Sequence, residues 1–138
     1  MRAVLDPNII ISAALSPAGS PARVLRAWLD GSFELVASPK LLGELDRALA
    51  YSKLRKRIPE EDARALVQLI ERGSVVRDGP EDPPTVSRDR GDDYLIALAK
   101  QNEAILVSGD TDLLELAPGL PVFSAAAFLD WLDEHRAG

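Results

Sequence analysis

The chain opens on a short apolar run, Arg2 to Leu5, which predicts a buried strand ending at Asp6. Pro7 biases the residue before it toward extended backbone and suits the first turn of a helix, so a helix is predicted over Ile9 to Leu15. Ser16 to Gly19 reads as a loop. Ser20 with Pro21 starts a second helix, continued by Ala22 to Asp30 and stopped at Gly31. Phe33 to Ala37 predicts a second strand. After Ser38-Pro39, the positions Leu41, Leu42, Leu45, Ala48 and Leu49 recur at helical spacing and predict a helix over Lys40 to Ala50, with Glu44 on the flank of its apolar stripe. Glu60 to Arg72 predicts a further helix with Ala63, Leu66, Val67 and Ile70 inward, and Ser74 to Arg77 a short strand.

Asp78 to Gly91 breaks the pattern. Its three prolines and two glycines predict a long loop, of a kind that is often functional. Periodicity resumes with a helix from Asp92 to Gln101 and a strand from Ala104 to Val107. Ser108-Gly109-Asp110 turns into a short helix through Leu116. Pro121 to Phe123 predicts a last strand, and Ala125 to Glu134 a closing helix with Phe128, Leu129 and Leu132 inward. Strands alternating with helices predict one α/β domain, 1–138, with helix layers about a mainly parallel central sheet. Trp28, Leu29 and Phe33 are expected in the core rather than in an exposed patch.

Composition narrows the chemistry. The chain has 138 residues, 46% hydrophobic and 28% charged, as an ordinary globular domain has. With no cysteine, disulfides, thiolate metal sites and a cysteine nucleophile are excluded. The single histidine, His135, stands near the C-terminus, which argues against a serine triad or a multi-histidine zinc site. Any catalysis therefore falls to carboxylates. The first apolar run is too short for a signal-peptide core, and no stretch approaches the roughly 20 residues that span a bilayer. A cytoplasmic location without membrane contact is the expectation. The net charge of −6 argues against a broad basic nucleic-acid platform. Lys53, Arg55, Lys56 and Arg57 form one local basic patch, read more simply as a solvated helix end.

Four acids are placed to meet. Ligands of open parallel sheets gather beyond the carboxyl ends of the strands. Asp6 follows the first strand, Asp110 follows the Ala104 to Val107 strand after a short turn, Asp92 opens the helix leading into that strand, and Glu44 flanks an apolar stripe. Each alone reads as a helix cap or a surface residue. Together they suggest a cation site, because two carboxylates about 5 Å apart repel by roughly 3 kcal/mol at an effective dielectric near 20. Hard divalent ions take such oxygen ligands, polarise a phosphate and activate water.

These residues resemble a PIN domain: LDPN at the first strand, Glu44 in an early helix, DDYLIALA, and VSGDTDLL. The similarity runs from about Ala3 to Leu132. SPKLLGELDRAL and SAAAFLDWL look closest to the VapC-like branch, the toxin components of bacterial toxin–antitoxin systems. The resemblance implies an endoribonuclease that uses Mg²⁺ or Mn²⁺ to cleave single-stranded RNA. It implies Asp6, Glu44, Asp92 and Asp110 as the acidic metal-site positions, with Asp92 preferred to the adjacent Asp93, and Asp112 as a further acid. Asn8 and Ser108 match polar positions that orient the site, and Ser12 is a weaker candidate for that role. It further implies a small antitoxin partner and a homodimer. Many members carry Thr where Pro7 stands; proline offers neither hydroxyl nor N–H, so a hydrogen bond made there is lost.

Other readings fit less well. A haloacid-dehalogenase-type phosphotransferase needs a second Asp where Asn8 stands. A response-regulator receiver needs paired early acids, a central phosphoacceptor Asp and a late lysine, whereas Val107 is followed by Ser108 and Asp110. The alternative from another class is a PIN-like module that binds RNA or protein without cutting.

Overall fold

The computed structural model describes residues 1–79, 83–84 and 90–136. The rest of the predicted loop Asp78 to Gly91 lies outside the described residues. Among those described, five strands form one sheet: β1 (Arg2–Leu5), β2 (Glu34–Ala37), β3 (Val75–Val76), β4 (Ile105–Val107) and β5 (Val122–Phe123). The order is β3-β2-β1-β4-β5, and every pairing is parallel. Ala3 pairs with Leu35 on one side and Ile105 on the other, so β1 is central.

Parallel neighbours need crossover connections, and helices supply them. They are α1 (Pro7–Leu15), α2 (Ser20–Leu29), α3 (Pro39–Leu49), α4 (Ser52–Arg55), α5 (Glu60–Gly73), α6 (Asp93–Gln101), α7 (Thr111–Leu114) and α8 (Ala125–Arg136), with a 3-10 turn at Arg90–Asp92. Successive strand side chains point to opposite faces. In β1, Ala3, Val4 and Leu5 are all buried, so both faces of the sheet are covered. This is the expected layered α/β architecture. Among the described residues, no helix is long and apolar enough to cross a membrane.

Most predicted elements stand within two residues of their expected limits. The first helix starts at Pro7, with Asp6 as its N-cap. Proline lacks an N–H, which costs nothing in the first turn, where that donor has no helical partner. The helix α4 was not expected; it overlaps the basic stretch read as a helix end. Trp28 and Phe33 are buried, whereas Leu29 is 55% exposed, so only two of that trio join the core.

The core shows how tightly α2 and α5 approach. A Cβ built on Gly73 would lie 2.6 Å from Cζ2 of Trp28. Trp28 is itself buried and has little room to yield. Gly73→Ala is expected to destabilise the chain by about 1–3 kcal/mol through overpacking. Urea denaturation measures it, and an unchanged midpoint would show that the ring moves freely.

Candidate metal and nucleic-acid site

The sheet has a topological switch point. From β1 the chain builds outward through β2 and β3, then crosses to β4 and β5 on the other side of β1. Connections leave in opposite directions beyond the carboxyl ends of β1 and β4, the place at which open parallel sheets form a binding crevice. Asp6 follows β1 directly, and Ser108 follows β4. The neighbouring strand ends contribute Ser38 after β2 and Asp78 two residues past β3.

The hydrogen bonds at this crevice link the two strand ends. Asp6 is 4% exposed. Its Oδ1 accepts the backbone N–H of Asn8 at 3.0 Å, which caps α1. Its Oδ2 accepts the Ser108 hydroxyl at 2.8 Å, and the Ser108 Oγ in turn accepts the Asp110 N–H at 3.0 Å. Ser108 is fully buried. One hydroxyl thus ties Asp6 to the start of the Asp110 turn across 102 residues of sequence. Asp110 caps α7, its Oδ1 accepting the Asp112 N–H at 2.8 Å. The cap reading of Asp6 and Asp110 is therefore realised. It does not use these groups up, since each carboxylate offers about four lone-pair positions.

A second node forms around Tyr94. Its hydroxyl donates to Oε2 of Glu44 at 2.6 Å, joining α6 to α3. Burial pushes the phenol well above its usual range. The hydrogen bond to Glu44 adds to this, as do the negative charges of Glu44, Asp6 and Asp92. The phenol therefore stays protonated at neutral pH and remains a donor. The fields of three of the four expected acids converge on this one side chain, although they come from β1, α3 and the entry to α6.

The remaining expected residues vary in placement. Asp92 ends the 3-10 turn half-buried, with Oδ2 closed off from solvent, and Asp93 begins α6 at 2% exposure. Asp112 is half-buried beside Asp110. Asn8 is exposed and serves the site through its backbone N–H, and Ser12 is exposed on α1. Lys53, Lys56 and Arg57 are exposed and Arg55 is half-buried, the placement of a solvated helix end. Sequence reasoning missed Tyr94, whose only signal was a phenol in an otherwise aliphatic helix segment.

The donor set suits a hard divalent cation, because every candidate ligand is a carboxylate or hydroxyl oxygen. Among the described residues, no three acidic side chains stand close enough together to enclose an ion.

The chain matches the PIN domain family over residues 2–112. It belongs to the PIN domain family. A relative by sequence is the uncharacterized protein MJ1680 of Methanocaldococcus jannaschii, 33% identical over 117 residues, covering 84% of this chain and 75% of that one. Two solved structures are similar to this chain in fold. The crystal structure of VapBC2 from Rickettsia felis bound to a DNA fragment from their promoter is 17% identical, with a TM-score of 0.62, covering 88% of this chain and 97% of that one. The crystal structure of FitAcB from Neisseria gonorrhoeae is 20% identical, with a TM-score of 0.52, covering 90% and 98%. The match to the PIN domain spans β1 through Asp112 and so includes all the acids of the crevice.

Proposed function

We propose that this PIN domain is a metal-dependent endoribonuclease that cleaves single-stranded RNA and acts as the toxin of a type II toxin–antitoxin system. The observation that carries the reading is the Asp6–Ser108–Asp110 linkage at the switch point. It ties the Asp6 carboxylate to the backbone of Asp110 beyond the ends of β1 and β4, in a family generally made up of nucleases. Asp6 and Asp110 would hold Mg²⁺ or Mn²⁺, with Glu44 and Asp92 binding directly or through water and Asp93 and Asp112 as further acidic candidates. When bound, such an ion polarises a phosphate and makes a water more nucleophilic.

The protein's own groups do the positioning. Ser108 fixes the rotamer of Asp6, and Tyr94 fixes that of Glu44. Pro7 leaves the first position of α1 without an N–H, and Asp6 caps the helix by accepting the N–H of Asn8, the next residue. The fold shared with VapBC2 and FitAcB supports a small antitoxin partner; a homodimer and a cytoplasmic setting complete the proposal.

The test is cleavage of a single-stranded RNA by the purified chain. Cleavage is expected with Mg²⁺ or Mn²⁺, to stop with chelator and to return with added ion. One observation favours the non-catalytic binding module instead: no three described acids are already gathered. Calorimetry showing divalent binding with no RNA cleavage under any ion would select that alternative.

Asp92 and Asp93 can be separated by substitution. Asp92→Asn is expected to lower cleavage about tenfold or more, as loss of a metal-site group does. Asp93→Asn is expected to act mainly on stability, since the side chain is almost wholly buried. Paired rate and melting measurements check this, and the reverse pattern would move the ligand to Asp93.

A further inference from the structure

A cleft of about 230 Å³ lies against the acid crevice, lined by Pro39, Lys40, Asp78, Gly79, Tyr94 and Leu98 among others. Its wall is shared with the site, because the Tyr94 ring that faces the cleft carries the hydroxyl that donates to Glu44. Nζ of Lys40 stands 4.7 Å from the centroid of that ring. Lys40 is exposed and forms no ion pair among the described residues. A cation over a ring face is held weakly and can pass to a stronger anionic partner.

We infer that this cleft seats the nucleotide next to the scissile phosphate, with Lys40 binding its backbone phosphate over the Tyr94 ring. The inference rests on the RNA-cleavage reading of the adjoining site. Three features narrow the occupant. The cleft is smaller than the roughly 300–1,000 Å³ typical of pockets for free small ligands, so it suits one unit of a longer chain. The chain carries a net charge of −6, and a polyanion approaching the acids needs a local cation. Lys40 supplies one where Glu44 is anchored. On the cleft lining, Asp78 repels phosphate and accepts from a sugar hydroxyl or an exocyclic amine. The two charges therefore orient the nucleotide, with phosphate toward Lys40 and sugar or base toward Asp78. Pro39 and Leu98 supply the apolar contact.

The test compares Lys40→Ala and Lys40→Arg with Lys100→Ala, an exposed control at the C-terminal end of α6. Two readouts are used: steady-state cleavage of a fluorescein-labelled single-stranded RNA, and anisotropy binding of the same RNA in the Asp6→Asn background, where it stays intact. Lys40→Ala is expected to raise KM about tenfold, as loss of a charge-assisted hydrogen bond does, with kcat changed less than about twofold. The slope of log Kd against log salt should fall by about 0.7, the value for one phosphate on a single strand. Lys40→Arg should recover most of both effects, and Lys100→Ala should show neither. Cleavage by the wild type with Lys40→Ala indistinguishable from Lys100→Ala would overturn the cleft assignment and leave the nuclease reading standing. Absence of cleavage with Lys40-dependent, salt-sensitive binding retained would count against the nuclease reading and still support the cleft.

Discussion

Asp6→Asn is expected to reduce RNA cleavage by on the order of 100-fold or more while leaving the fold in place. Loss of groups that merely support a metal ligand costs about 10–100-fold, and removal of a direct ligand should cost at least as much. The fold should tolerate the change. Asparagine is as good an N-cap as aspartate, so its Oδ1 can keep the Asn8 N–H. The Ser108 hydroxyl, now facing an amide, must find another acceptor, at a cost of about 1 kcal/mol. Removing one negative charge from a crevice shared with Glu44 and Asp92 works in the opposite direction. Cleavage rate and thermal melting on the same preparation check both halves. Equal cleavage by the two proteins would remove Asp6 from the chemistry.

Phe128→Ala should have the largest effect on stability. Phe128 is completely buried on α8 and meets Phe33 edge-on, with centroids 5.1 Å apart and planes at 84°. Trp131 stacks near it at 6.3 Å and 8°. Truncation removes the buried ring and leaves a cavity between α8 and the start of β2, where relaxation is limited by Phe33. The expected loss is about 3–5 kcal/mol, including the aromatic pair contribution. That corresponds to a fall in Tm of about 10–15 °C for a domain of this size. A loss below about 1 kcal/mol would mean that α8 collapses inward to fill the space.

The fold was legible because the sequence punctuates it strongly. Pro7, Pro21 and Pro39 each stand in the first turn of a helix, and Ser38 caps α3 by accepting the Leu41 N–H. The uniformly apolar Ala3 to Leu5 and Ile105 to Val107 segments read as strands because both faces of a parallel sheet are covered. The helix α4 escaped because Ser52 to Arg55 makes a single turn, too short for periodicity to register. Leu29 was expected inside by residue type alone, yet it ends α2 facing solvent.

Within the site, Asp6, Ser108 and Asp110 could be placed from sequence because strand ends fix them. Tyr94 could not. It occupies an apolar position of α6, and its importance comes from a contact with Glu44 across 50 residues, which no local pattern encodes. Lys40 escaped for the same reason, since its ring partner is on α6.

The central claim is that carboxylates from β1, the β4 turn, α3 and the entry to α6 serve one divalent cation. Anomalous scattering from crystals soaked in Mn²⁺ addresses it directly. The expected result is a peak bridging Asp6 and Asp110, lost in Asp6→Asn crystals. Peaks confined to surface acids remote from Ser108, or no peak at saturating Mn²⁺, would contradict it.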